Sequence, residues 1–417
     1  QSGREFSVRY LRMRCICFLK RVPPGLWVVV LALSVRFVVL VALWQSVGVS
    51  SDFREDFWPL AVSVAEGRGF SLHGHPSAIY PPGYPLLLAG VYGVFGASAV
   101  AFRMTLTAVD VLLCWLAYRL GRELFDRMTG FVAGVGMALC PYFLYLILRL
   151  ASDGLFTFGC LLFIFFLVRG VRNRRWSTFA LAGFTAGIAT LIRAPSLLLP
   201  LWCIPFIWWS FRPGGRSRKL LGQIALSIGI FGAVLMPWTV RNFIHFDRLI
   251  PIQVLGGHLV YASTRSTQDA ESWRSDKEAI RKADDAVGRD DSYYIVAIRN
   301  ISSNPGAFAV SMVRRLGTMW YRTSAGAHDE KLRVANSLLL GLAAFGLWVQ
   351  RRRWRELLIP VGAVMYFVAI HSVIFPIFRY LMPVVPLLIL FASAAVTHVV
   401  RSLAPEPSPT VDGSTES

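Results

Sequence analysis

Residues 78–90, AIYPPGYPLLLAG, set three prolines and two glycines at the threshold of an apolar run. Proline fixes its own φ, lacks a backbone donor and pushes the preceding residue out of the helical region. A membrane span does not ordinarily open this way. The run that follows, Tyr84 to Gly96, is only 13 residues long, and a span needs about 20. Counting it as a span would invert the orientation of everything after it. It reads instead as a short interfacial or re-entrant helix on the outer face, entered through Pro81, Pro82 and Gly83 as loop-shaping residues.

The rest of the chain supports that count. Of 417 residues, 55% are hydrophobic and 16% charged, where a soluble domain carries about a quarter charged. Apolar stretches suggest spans near 26–47, 99–119, 129–148, 154–168, 176–192, 195–211, 220–240, 333–350, 357–375 and 380–400. The expected fold is an all-α polytopic membrane protein of about ten transmembrane helices, give or take one, with interfacial helices in the outer loops. A membrane β-barrel would alternate in runs of about ten residues.

The net charge of +19 raises the question of nucleic acid, and the placement of the charges answers it. With the N-terminus inside, the inner segments 1–25, 119–128, 169–175, 212–219 and 351–356 hold 21 Lys and Arg against Glu5, Glu123, Asp126 and Glu356. The outer segment 241–331 is nearly balanced, and the first outer loop, 48–98, is acidic through Asp52, Glu55, Asp56 and Glu66. This is the positive-inside pattern, so the basic excess orients the chain and no nucleic-acid partner is expected. The organisation expected is a basic cytoplasmic tail (1–25), one membrane domain (26–403) and a disordered cytoplasmic tail (404–417). None of the six cysteines (Cys15, Cys17, Cys114, Cys140, Cys160, Cys203) falls in an outer loop, which argues against a disulfide framework; Cys15 and Cys17 read as free thiols on the inner side. Within 241–331, DAESWRSDKEAIRKADDAVG reads as a charged helix and NPGAFAVSMVRRLGTMWYR as an amphipathic helix along the membrane surface.

Ionisable groups inside spans are costly when unpaired. Arg36 and Asp110 fall near the middle of the first two spans, and antiparallel packing would bring them to one depth as a structural ion pair. A second set lies at the outer ends: Asp52 and Asp56, Arg149 and Asp153, Arg193, Arg241 and Arg379. Arginine binds phosphate oxygens bidentately, and a carboxylate facing such a cluster can act as a general base. Asp52 and Asp56, spaced i, i+4, would share one face of a helix capped by Ser50 or Ser51 and ended by Gly67 and Gly69. His73 and His75 follow, and with these aspartates they leave a divalent metal site open, although the spacing matches no specific signature.

Taken in order, DFREDFWPLAVSVAEGRGF, YPPGYPLLLAGVYGVFGAS, AFRMTLTAVDVLLCWLAYRLGRELF, SDGLFTF, LIRAPSLLLP, PWTVRNFIHFDRLIPI and FRYLMPVVPLLIL resemble the bacterial membrane glycosyltransferases related to protein O-mannosyltransferases and to the aminoarabinose transferase of lipid A. The resemblance covers roughly residues 25–400. It implies a GT-C type fold and transfer of a hexose or pentose from a polyprenyl-phosphate carrier to an acceptor hydroxyl of a protein, lipid or polysaccharide, with inversion. The reaction would run on the outer face of the bacterial cytoplasmic membrane. The family's catalytic aspartate maps to Asp52, with Asp56 as the alternative. Its later acidic residue maps to Asp153, and its Pro-Pro element to Pro81 and Pro82. Relatives of the aminoarabinose type carry Lys before the prolines, where this chain has Tyr80. Contacts to carrier phosphate or sugar then fall to Arg54, Tyr80, Arg149, Arg193, Arg241 and Arg379. The competing reading is a polytopic transporter or lipid flippase, which would place such residues near the midplane, often in paired repeats.

Overall fold

The computed structural model describes residues 23–211, 218–265, 270–281, 286–323, 326, 328–374 and 376–403. The two tails, with Cys15 and Cys17, lie outside the described residues, as does part of the 269–288 stretch. The helices in chain order are α1 (Pro24–Leu43), α2 (Trp58–Ala65), α3 (Gly83–Phe95), α4 (Ala99–Leu124), α5 (Arg127–Ala138), α6 (Pro141–Leu148), α7 (Asp153–Asn173), α8 (Trp176–Ile192), α9 (Leu199–Ser210) and α10 (Arg218–Phe246). They continue with α11 (Gly256–Thr264), α12 (Ala270–Arg281), α13 (Ala286–Ser303), α14 (Pro305–Thr318), α15 (Asp329–Val349), α16 (Trp354–Val373) and α17 (Val385–Leu403). The described strands are β1 (Ser71–Leu72) and β2 (His75–Pro76), paired antiparallel.

Among the described residues seven helical stretches are long and apolar enough to cross a membrane, and α5 with α6 makes an eighth if their 42° bend is one span. The bend has a local cause: Pro141 opens α6, and Cys140 before it is extended at ψ 113°, as the proline ring demands. The other two predicted spans are the shorter apolar helices Trp176–Ile192 and Ala194–Ser210, the second interrupted by prolines at 195, 200 and 205. The chain is thus an integral, multi-pass, all-α membrane protein. The 13-residue α3 is too short to span and begins at the Pro81–Pro82 pair, so the proline stretch does start a short apolar helix.

Buried Phe, Leu and Ala side chains from α1, α4, α5, α7, α8, α16 and α17 form one continuous core, while the outward faces of α1, α10 and α15 leave large apolar side chains exposed. In lipid, close backbone approach at small residues drives helix association. Here Gly183 of α8 sits against the Ser227 carbonyl of α10, and Gly346 of α15 against the Phe391 carbonyl of α17. A Cβ at either place would collide with backbone that cannot rotate away. We expect Gly183→Val to destabilise the bundle by about 1–3 kcal/mol, read as a lower thermal unfolding midpoint of detergent-purified protein; an unchanged midpoint would show that the α8–α10 contact is loose.

The segment between α10 and α15 folds into α11 to α14. The exposed face of α14 carries Val310, Val313 and Leu316, matching the amphipathic expectation. One of its two arginines differs: Arg315 turns inward, only 7% exposed, and donates to the carbonyls of Ser263, Ser372 and Val373. It thereby ties α14 to α11 and to the end of α16.

Candidate functional site

The first long loop enters the site in a single helical run. Its first turn, Asp52–Phe57, is wound as a π-helix and passes directly into α2. The Ser50 hydroxyl accepts from the Phe53 N–H at 3.3 Å, so the N-terminal cap is Ser50. Gly67 and Gly69, at φ 75° and 72°, turn the chain out of α2, a conformation that side-chain-bearing residues adopt at a cost. π-turns are rare and recur at functional sites; this one places two carboxylates a turn apart.

Three further stretches meet this turn. Asp153 is the first residue of α7 and is 2% exposed. Arg193 follows α8 in extended conformation. Arg379 lies in the tight helical turn Phe378–Val384 ahead of α17. Arg379 donates through Nη1 to Asp52 Oδ2 at 2.8 Å and through Nε to Asp153 Oδ2 at 2.9 Å. Arg193 Nη1 donates to the other Asp153 oxygen at 2.8 Å and to Ser152 Oγ at 3.3 Å. The result is an alternating chain, Asp52–Arg379–Asp153–Arg193, drawn from residues up to 327 positions apart. Asp153 is buried, and each of its carboxyl oxygens accepts from a guanidinium, the pairing that burial of such a group requires.

The proline stretch borders this chain. Tyr80 donates its hydroxyl to Asp56 Oδ2 at 2.8 Å, and Tyr84 donates to the Leu150 carbonyl at 2.6 Å, just before Asp153. Pro81 and Pro82 are buried. A Cβ on Gly83 would come within 2.9 Å of the Leu191 carbonyl, so glycine lets the start of α3 press against the end of α8, next to Arg193. The stiff bend thus serves to dock Tyr80 and Tyr84 beside the two acidic positions.

The environments of the two loop aspartates differ. Burial pulls the Asp52 carboxyl upward, but Arg379, and more weakly Arg193, outweigh it and hold it below the usual range. Burial and the charges of Asp52 and Glu55 push Asp56 above its usual range, against the Tyr80 hydrogen bond and His73. Burial and the adjacent Asp56 raise the Tyr80 phenol, which therefore stays a donor.

The other arginines are occupied differently. Arg241 donates to the carbonyls of Phe70 and Ser77, both at 2.8 Å, and packs over Trp238 at 4.9 Å, so it staples the β1–β2 hairpin to α10. Arg149 donates to the Gly48 carbonyl at 3.1 Å while its own carbonyl accepts from the Ser50 N–H. Both hold backbone, and Arg54 is exposed. Of the arginines named from the sequence, Arg193 and Arg379 are the two on the acidic chain. Among the described residues no three His, Cys, Asp or Glu side chains converge to hold a metal ion; His73 and His75 stand exposed in the hairpin.

Residues that the sequence reading missed complete the site. Arg193 packs over the Tyr380 ring at 5.6 Å, and His371, 2% exposed, stacks on the same ring at a centroid distance of 5.6 Å and 27°. A lone histidine within a predicted span was the available signal for His371; Tyr380 and Tyr84 gave none. At mid-depth, Arg36 Nε donates to Asp110 Oδ2 at 2.6 Å, and the Arg36 guanidinium also reaches the carbonyls of Ala32, Met137 and Ala138.

Chemically, the site offers two guanidiniums that can bind oxyanions and two carboxylates at its open edge. Comparison with known proteins agrees with the fold. Residues 79–239 match the family described as dolichyl-phosphate-mannose-protein mannosyltransferase; this segment includes Tyr80, Asp153 and Arg193 but neither Asp52 nor Arg379. Among solved structures, the chain is similar to the oligosaccharyltransferase AglB from Archaeoglobus fulgidus in complex with an inhibitory peptide and a dolichol-phosphate (TM-score 0.59, 15% identity, 91% of this chain and 51% of that chain). The apo form of the A. fulgidus enzyme gives a TM-score of 0.58 at 16% identity with the same coverage. ArnT from Cupriavidus metallidurans bound to undecaprenyl phosphate is more distant, at 0.45 and 12% identity, covering 91% of this chain and 81% of that one. The chain spans about half the length of the oligosaccharyltransferases it matches. Among curated proteins no sequence matches. The chain has the GT-C fold.

Proposed function

We propose that this protein transfers a sugar from a polyprenyl-phosphate carrier to an acceptor hydroxyl, with inversion, on the outer face of the membrane. The observation that carries the reading is the alternating chain Asp52–Arg379–Asp153–Arg193 at one end of the bundle. A carrier of this kind is a long apolar chain ending in a phosphate, and the AglB structure, of the same fold, holds a dolichol-phosphate. In this chain the phosphate would lie on Arg193 and Arg379. Asp52, adjacent to Arg379 and ionised, takes the proton from the acceptor hydroxyl as that oxygen attacks the anomeric carbon. The bond from this carbon to the phosphate oxygen breaks, and the phosphate leaves on the carrier with its charge met by the arginines. Asp153 orients both guanidiniums, and Asp56, held by Tyr80, flanks the acceptor side.

A transporter would use ionisable groups near the midplane. The mid-depth pair Arg36–Asp110 is instead tied down by three backbone carbonyls. The experiment is to supply membranes with radiolabelled mannose, glucose, arabinose or aminoarabinose on polyprenyl phosphate and to determine the anomeric configuration of any product. Transfer with inversion supports the reading; retention, or carrier flipping without transfer, overturns it.

The depressed Asp52 carboxyl carries a pH prediction. Its ion pair stabilises the folded protein above the unfolded carboxyl value of about 3.9 and is lost as pH falls through the lower folded value. Arg379→Gln removes the chief cause of the depression, so Asp52 should titrate higher. The acid limb of the transfer–pH profile should then move to higher pH. An unmoved limb would mean that another group sets it.

A further inference from the structure

A cavity of about 580 Å³ opens between α2 and the β1–β2 hairpin, away from the arginine cluster but on the same helical run as the two loop aspartates. Its size falls within the range of small-molecule sites. Trp58, Pro59 and Val62 line it from α2, Ser71, His73 and Gly74 from the hairpin, and Arg68 from the turn between them. Pro59 lies three residues after Asp56, so the α2 lining leads along the helix to the acidic positions.

Both walls are built rather than incidental. Trp58 is fixed among Phe53, Tyr92 and Phe102 at centroid distances of 6.1, 5.5 and 5.3 Å. The hairpin is held by Arg241 on the Phe70 and Ser77 carbonyls and by the 2.6 Å contact between the Ser63 and Ser71 hydroxyls. Its tip, His73 at φ 52° and Gly74 at φ 83°, is held in left-handed backbone that closes the turn.

We propose that this groove is the acceptor site and that it binds a saccharide, laid with one ring face over Trp58 and its hydroxyls toward Arg68, His73 and the Ser63–Ser71 pair. The inference rests on the transferase reading above and adds the class of acceptor. A pyranose has an apolar C–H face and a rim of hydroxyls, which matches a lining of one aromatic and two small apolar residues from α2 with a guanidinium, an imidazole and two hydroxyls beside them. An extended peptide would add along a strand edge, and strands of two residues offer little edge to pair with. A lipid acyl chain would lay hydrocarbon against the Arg68 guanidinium, which Glu66 pairs, and the Ser71 and His73 side chains.

The test reads binding without turnover, so it is separable from the function itself. Saturation-transfer NMR on the detergent-purified full chain would use mannotriose, maltotriose and trigalacturonic acid as probes, with a serine-containing hexapeptide as the contrasting ligand. At least one trisaccharide should bind wild type. Trp58→Ala should weaken it about tenfold, equivalent to about 1.4 kcal/mol; Val62→Trp should abolish it by filling the groove; and Trp58→Phe should restore most of it. Unfolding midpoints close to wild type confirm that the variants are folded. Binding of no trisaccharide, binding that survives Val62→Trp, or displacement by the hexapeptide would each overturn the proposal. A protein that binds sugar in the groove but transfers from no carrier would instead remove the transferase reading and leave the groove standing.

Discussion

Asp52→Asn should lower sugar transfer about 10³-fold at saturating donor and acceptor, in the middle of the 10²–10⁴ range for losing a positioned general base. Asparagine keeps the size of the side chain and can still meet Arg379 through its carbonyl oxygen, so expression and the unfolding midpoint should change little. What is lost is the lone pair that accepts the proton. Asp56→Asn should cost much less: its carboxyl is held by Tyr80 rather than by the arginines that would carry the phosphate, and it lies a helical turn further from Arg379. Geometry decides here over basicity, because Asp56, with its raised carboxyl, is the stronger base of the two. The measurement is initial-rate transfer of labelled sugar in membranes with protein levels matched by immunoblot. Full activity in Asp52→Asn together with loss in Asp56→Asn would exchange the two roles. Full activity in both would send the assignment to Asp153.

The second large effect is one of stability. Asp110→Ala would leave the Arg36 guanidinium, fully buried between α1, α4 and α5, without its counter-charge. Breaking a buried pair from one side typically costs about 3–5 kcal/mol, and a membrane bundle of modest stability would be recovered in low yield or with a sharply lower unfolding midpoint. The double variant Arg36→Met with Asp110→Leu removes both charges while keeping volume. It should recover most of that loss, because the cost lies in the orphaned charge rather than in the missing pair. Normal yield and midpoint for Asp110→Ala would show that the carbonyls of Ala32, Met137 and Ala138 suffice for Arg36.

Some of this protein is legible in one dimension. Runs of apolar residues long enough for a bilayer, the skew of Lys and Arg between their ends, and the prolines that forbid a span at 78–85 together specify an all-helical membrane bundle. The physical reason is that lipid solvates no backbone, so length and hydropathy alone decide which segments become helices across it. Arg36 and Asp110 were legible as a pair for a related reason: two isolated charges in neighbouring spans have few other places to go.

The site was legible only as a set of candidates. Seven charged residues at helix ends looked alike in the sequence, and the tertiary structure separated them. Arg149 and Arg241 hold loop backbone, whereas Arg193 and Arg379 join Asp52 and Asp153 in one alternating chain. The π-wound turn that carries Asp52, the inward Arg315 and the stacking of His371 on Tyr380 were equally invisible. The Arg379 contacts to Asp52 and Asp153 join residues 327 and 226 positions apart, and such a bond forms only where packing brings the partners within about 3 Å. Composition and spacing determined that the chain crosses a membrane many times; the packing of those crossings alone decided which charges meet.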